Sequence, residues 1–161
     1  MDDIYNEEIQ DDLAGRYLTF YIGEVVYSLP LFHVIEIIGM QRVTHVPGLP
    51  DYIKGIVNLR GKVVPITDAR LKFGQPERPY DEETCIIIVD INDMNIGLIV
   101  DKVAEVVGLE KINKAPPAMT DKRIGDSFLD SISTTSDKII LNIDCAKFFQ
   151  SDLAPAFAQD V

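Results

Sequence analysis

The sequence predicts a mainly β protein made of two five-stranded barrels, and three observations carry that prediction. Apolar and polar residues alternate at the period of a half-buried strand. Turn residues punctuate those runs, and the second half of the chain repeats the first in the same order.

The elements follow in chain order. Residues 1–15 are polar and acidic, with few apolar side chains to bury, and read as a mobile leader. From Tyr17 onward, Leu18, Phe20 and Ile22 alternate with Thr19 and Tyr21. Gly23-Glu24 suits a tight type II′ hairpin, and Val25, Tyr27 and Leu29 alternate on the return strand. Pro30 is suited to open a short helix, with Leu31, Val34, Ile35 and Ile38 on one face and Glu36 pointing away from it.

A second strand-rich block runs from Gly55 to Ile66 with Arg60-Gly61 at its turn. Thr67 or Asp68 caps a short helix through Lys72, ended by Gly74. Gln75 to Thr84, with two prolines and four acids, reads as an exposed connection. A buried strand follows at Cys85–Ile91, then an Asn92-Asp93-Met94-Asn95 turn and a return strand at Ile96–Val100. Pro116-Pro117 opens a loop, Lys138–Ile143 is a last strand, and Asp144 caps a helix to Phe149. Residues 151–161 read as a tail.

Superposing the halves exposes the repeat. An offset of 69 carries Leu29, Val34, Glu36, Ile37 and Ile38 onto Leu98, Val103, Glu105, Val106 and Val107. An offset of 76 carries Lys62-Val63-Val64 and Asp68 onto Lys138-Ile139-Ile140 and Asp144. Short apolar matches arise by chance, but several in one order point to a duplicated five-strand unit. Two such barrels would bury their edges against each other.

Composition narrows the function. The chain is 47% hydrophobic and 25% charged, the balance of a soluble folded protein. No apolar run approaches the roughly 18 residues of a membrane span, and the acidic start is unlike a secretory signal. The expected location is the cytoplasm, without direct membrane insertion. A net charge of −11 with scattered basic residues argues against nucleic acid. Cys85 and Cys145 lie in apolar segments and read as buried, reduced thiols.

No constellation for chemistry stands out. His33 and His45 are the only imidazoles, and His33 before Glu36 reads better as a solvent-facing residue than as half of a base dyad. C-x-x-C, H-x-x-x-H, phosphate-binding glycine motifs and nucleophile elbows are absent, so no metal, cofactor or catalytic residue is expected. The informative stretch is Tyr52 to Asp68. Gly55 within a strand pattern implies a bulge or a close backbone approach. Arg60, at a turn between apolar strands, is either an interface anchor or a plain turn residue kept for solubility.

Gly55-Ile56-Val57-Asn58-Leu59-Arg60-Gly61-Lys62-Val63-Val64-Pro65-Ile66-Thr67-Asp68 closely resembles the G-V-I-N-L-R-G-x-V-x-P-V-x-D-L-R stretch of CheW-like domains. Tyr17 to Phe20 with Gly23, Val34 to Ile38, Val46-Pro47 through Pro50, Lys72-Phe73-Gly74, Gly97 to Asp101 and Val103 to Val107 extend the resemblance in family order. It covers about residues 16–150, leaving the leader at 1–15 and the tail at 151–161. It implies two SH3-like five-stranded barrels sharing a core, with short helices. The family's F-I-x-G-I-G pattern stands here as Phe128 to Ser133, with Ser131 and Ser133 replacing glycines, and Asn142 sits where an apolar residue is usual.

The resemblance also implies a scaffold that binds the cytoplasmic tip of chemoreceptors and the regulatory domain of the histidine kinase CheA. Carried over by position, the receptor groove falls on Val34, Glu36, Gly55 and Arg60. The kinase would meet the barrel ends through pseudo-symmetric, mainly hydrophobic contacts. The expected role is a non-catalytic chemotaxis adaptor recruited to membrane-associated receptor arrays. The alternatives are the regulatory domain of a CheA-type kinase, which fifteen leader residues leave no room for, or a coupling protein of a related pathway such as one for pili.

Overall fold

The structure, a computed structural model, describes residues 15–108, 128–135 and 137–153. The leader up to residue 14, the Pro116-Pro117 loop and residues 154–161 of the tail lie outside the described residues.

Among the described residues, ten strands form two five-stranded sheets. The first hairpin pairs β1 (Arg16–Ile22) with β2 (Val25–Pro30). Its turn has Gly23 at φ 62°, the positive angle a type II′ turn demands at its first central residue. After a 3-10 turn at Leu31–His33 come β3 (Val34–Gly39), β4 (Ile53–Leu59) and β5 (Lys62–Asp68). Arg60 and Gly61 both adopt positive φ, 52° and 84°, between the paired Leu59 and Lys62. Helix α1 (Ala69–Lys72) is capped by Asp68, whose Oδ1 accepts from the Leu71 N–H, and Gly74 at φ 76° ends it.

The second half begins with the hairpin β6 (Cys85–Ile91) and β7 (Met94–Val100). Asn92 and Asp93, both at positive φ, form its two-residue turn, so β7 starts two residues earlier than the pattern suggested. Strands β8 (Lys102–Gly108), β9 (Leu129–Thr134) and β10 (Ile139–Ile143) complete the set. Helix α2 (Cys145–Leu153) starts from Asp144, whose Oδ1 accepts the Lys147 N–H, and continues past Phe149 into the expected tail.

Of the helix expected after Pro30 only the 3-10 turn Leu31–His33 forms, and its continuation through Ile38 is a strand instead. Val34, Ile35, Ile37 and Ile38 are β-branched, which restricts χ1 in a helix, and in β3 Val34 pairs with Val89, Ile37 with Ile87 and Ile38 with Ile86 of β6, with a register shift at Ile35. Four apolar residues at helical spacing fit a strand equally well when the intervening positions are apolar too. Glu36 therefore does not point away from the buried side. It lies half-buried on one side of β3 with Val34 and Ile38, while Ile35 and Ile37 are exposed.

One sheet has the order β8-β1-β2-β10-β9 and the other β3-β6-β7-β5-β4. Under the repeat, each order maps onto the other position by position. The sequence halves are therefore not the sheets: each sheet takes its hairpin from one half and its three other strands from the other. Among the described residues no backbone pairing closes either sheet into a ring, so these are curled sheets rather than closed barrels.

The sheets share one core. Leu18, Phe20, Ile22 and Leu29 of the first sheet meet Ile87, Val89, Ile91, Ile96 and Leu98 of the second, with Phe73, Phe148 and Phe149 from the helical segments between them. A second apolar cluster of Val57, Val64, Ile66, Ile86, Ile88 and Ile99 fills the other face of the second sheet. This explains the unbroken run Ile86-Ile87-Ile88-Val89: β6 is buried on both faces, so alternate residues enter different cores.

Candidate functional site

Asn58, Leu59, Arg60 and Gly61 build the β4–β5 turn. Asn58 Oδ1 accepts the Gly61 N–H at 3.0 Å, which fixes the turn that presents Arg60. The Arg60 guanidinium donates to Glu36 Oε1 as an ion pair. Glu36 stands on β3 at one end of the sheet order, and Arg60 at the turn that opens from β4 at the other. Their contact bridges the two ends of the curled sheet with side chains where backbone pairing is missing. The Arg60 side chain is 68% exposed and that of Glu36 28%, so the pair contributes only about 0–1 kcal/mol to stability.

Val34 lies two residues before Glu36 and packs against the shared core. Gly55 is further away, five residues along β4 from Arg60, roughly 16 Å at strand rise. Its φ of 146° and a register shift between Ile53 and Gly55 mark a bulge. A Cβ at this position would run into the carbonyl of Thr44, which accepts the Ile56 N–H at 2.9 Å and covers the outer edge of β4. The structure thus joins Glu36 to Arg60, keeps Val34 on the same strand, and gives Gly55 a backbone role. Sequence reasoning missed Ile35 and Ile37, exposed on the other side of β3, because a helical stripe had placed Ile35 inside.

A family model described as the CheW-like domain matches residues 16–153. The chain belongs to the CheW family. The chemotaxis protein CheW of Klebsiella aerogenes is 34% identical over 145 residues, covering 88% of this chain and 86% of that one. The chemotaxis protein CheW of Helicobacter pylori is 27% identical over 149 residues, covering 91% and 86%. The crystal structure of the scaffolding protein TtCheW from Thermoanaerobacter tengcongensis matches with a TM-score of 0.77 at 35% identity, covering 84% of this chain and 92% of that one.

In this CheW-family chain the groups that could have suggested chemistry have structural surroundings. His33 ends the 3-10 turn, its Nδ1 3.2 Å from the Asp90 carbonyl and its ring against Phe32. It shares no helix with Glu36, as the dyad reading required. Burial pushes the Cys85 thiol up and carries that of Cys145 to about 12, away from a reactive thiolate. Among the described residues no three His, Cys, Asp or Glu side chains gather to hold a metal.

Proposed function

We propose that this chain is a chemotaxis scaffold adaptor that couples chemoreceptors to the histidine kinase CheA. In this reading the working unit is residues 16–150, and the receptor's cytoplasmic tip is bound beside Val34, Glu36, Gly55 and Arg60. The contact of Glu36 with Arg60 carries the reading. It joins the two segments that the family pattern assigns to the receptor groove, although they are 24 residues apart. An Arg on a surface pair can exchange its carboxylate for one on a partner helix, keeping the charge-assisted bond while the apolar surroundings are covered.

The kinase regulatory domain is assigned to the ends of the sheets. Support comes from Val63 and Ile139, repeat-equivalent positions that are 63% and 61% exposed. Exposed apolar residues at matching places on both sheets fit pseudo-symmetric hydrophobic contacts. The adaptor is read as non-catalytic and as working in the cytoplasm at receptor arrays. No described helix is long and apolar enough to cross a membrane.

Reconstitution tests the proposal. Vesicles bearing a chemoreceptor and purified CheA receive this chain, and kinase autophosphorylation is followed with and without receptor ligand. Ligand control should appear on adding the chain, survive Cys85→Ser, and be unaffected when the chain alone is treated with chelator and dialysed before mixing. Kinase activity indifferent to the chain would refute the coupling role, and loss of control with chain that had been treated with chelator and dialysed before mixing would refute the non-catalytic reading.

A further inference from the structure

The three departures from the family pattern, Ser131, Ser133 and Asn142, meet in space. Ser28 joins them, and all four side chains are buried. Ser28 Oγ donates to Asn142 Oδ1 at 2.5 Å, and Asn142 Nδ2 donates to Ser131 Oγ at 3.0 Å and to Ser133 Oγ at 2.8 Å. The amide thus uses its carbonyl and both N–H groups, and Ser131 Oγ donates to Asp130 Oδ2 at 3.2 Å. Among the described residues no buried side-chain nitrogen or oxygen lacks a partner.

The repeat shows what occupies the same places in the other sheet. The offset of 69 carries Ser28 onto Gly97, and the offset of 76 carries Asn142 back onto Ile66, Ser131 onto Gly55 and Ser133 onto Val57. The registers agree: Ser28 faces Asn142 across the parallel β2–β10 pairing, and Gly97 faces Ile66 across the parallel β7–β5 pairing. These are the parallel seams between each hairpin and strands from the other half; the hairpin's other side makes an antiparallel seam, β1 with β8 and β6 with β3. At these matching positions one seam is joined by side-chain hydrogen bonds. The other is apolar at the Gly97–Ile66 position and filled there by shape, because a methyl built on Gly97 would lie 2.5 Å from Ile66 Cδ1 and 2.8 Å from Ile86 Cγ2.

We infer that the two seams form a pairing code that assigns each hairpin to its own sheet. Hairpin β1–β2 belongs on β10 because Asn142 needs the Ser28 hydroxyl. Hairpin β6–β7 belongs on β5 because only glycine leaves room for Ile66. Exchange fails on both sides. Ser28 against Ile66 would force a hydroxymethyl into space already filled and bury its oxygen among isoleucines. Gly97 against Asn142 would leave the amide carbonyl without a donor, which shifts the equilibrium by roughly tenfold or more. Without such a code, two hairpins of matching pattern could trade places within one chain or between two chains.

The test makes the seams alike. A variant carrying Ser28→Gly, Ser131→Gly, Ser133→Val and Asn142→Ile copies the apolar seam onto the polar one. Wild type and variant are unfolded in denaturant, refolded, and separated by size-exclusion chromatography, with amide NMR peaks counted in each fraction. The variant should yield at least fivefold more exchanged multimer, or duplicated peaks, whereas wild type returns to one species. Recovery of one species at the wild-type yield would overturn the code. Should the variant not refold, a cycle of Ser28→Ala, Asn142→Val and the double replacement decides. The double loss in folding equilibrium should fall at least fivefold short of the product of the single losses, and independent losses would overturn the inference.

Discussion

Arg60 separates folding from binding. Its ion pair with Glu36 is largely exposed, so Arg60→Ala should change unfolding free energy by no more than about 1 kcal/mol. As an interface anchor it should matter more, about 2 kcal/mol, or thirtyfold in affinity. Titrating the variant against a receptor tip and a CheA regulatory domain should show a severalfold to thirtyfold loss toward the receptor alone. Arg60→Glu should bind more weakly still if the receptor presents a carboxylate. Equal loss toward both partners would indicate a damaged fold. Gly55→Ala makes the opposite prediction: a Cβ aimed at the Thr44 carbonyl, at a φ of 146°, should cost about 2 kcal/mol or more in a denaturant melt. Gly55 was legible in the sequence because glycine weakens a strand and is kept inside one where the backbone bulges or another backbone comes close. The partnership of Glu36 with Arg60 was not, since nothing local says that the two ends of a sheet meet.

The segments between strands do more than connect. Gln75 to Thr84 reads as an exposed link, yet its side chains are held on both sides. Glu77 pairs with Lys54 at 2.5 Å, Tyr80 donates to Asp68 at 2.8 Å, and Glu83 pairs with Lys102 at 3.2 Å. Arg78 reaches Asp101, which also accepts from Arg70 and from the Gly23 N–H at the tip of the first hairpin. Asp101 thus ties α1 and the connection to the opposite sheet. Burial alone would raise its pKa, but the bonds and charges of Arg70, with the Gly23 N–H and Arg78, outweigh that and hold it below the usual carboxylate range. A depressed folded-state pKa stabilises above the unfolded value and loses that stabilisation as pH falls through the folded one. Stability should therefore drop as pH falls below about 4. Asp101→Asn should lower stability at pH 7 and flatten that acid limb in melts taken across the range. The hairpins were legible because alternation and turn residues agree. The strand at Val34–Gly39 was not, because its apolar spacing also fits a helix and pairing with β6 decides the matter.

At the scale of the molecule, duplication was visible in the sequence but the exchange of hairpins between halves was not. Offsets of 69 and 76 identify equivalent residues without saying which half lends its hairpin to which sheet. The exchange makes the two sheets interdependent: Leu18, Phe20 and Leu29 share a core with Ile87, Val89 and Leu98, so neither sheet keeps its buried face if the other is removed. Such a body can hold two partners in one fixed relation, as a scaffold must. The most direct measurement of that claim mixes a receptor-tip fragment, a CheA regulatory domain and this chain, and weighs the complexes by light scattering after chromatography. A complex holding all three components should form, and its yield should fall with Arg60→Ala. Binary complexes in which each partner displaces the other would contradict the claim, because a coupling protein must bind both at once.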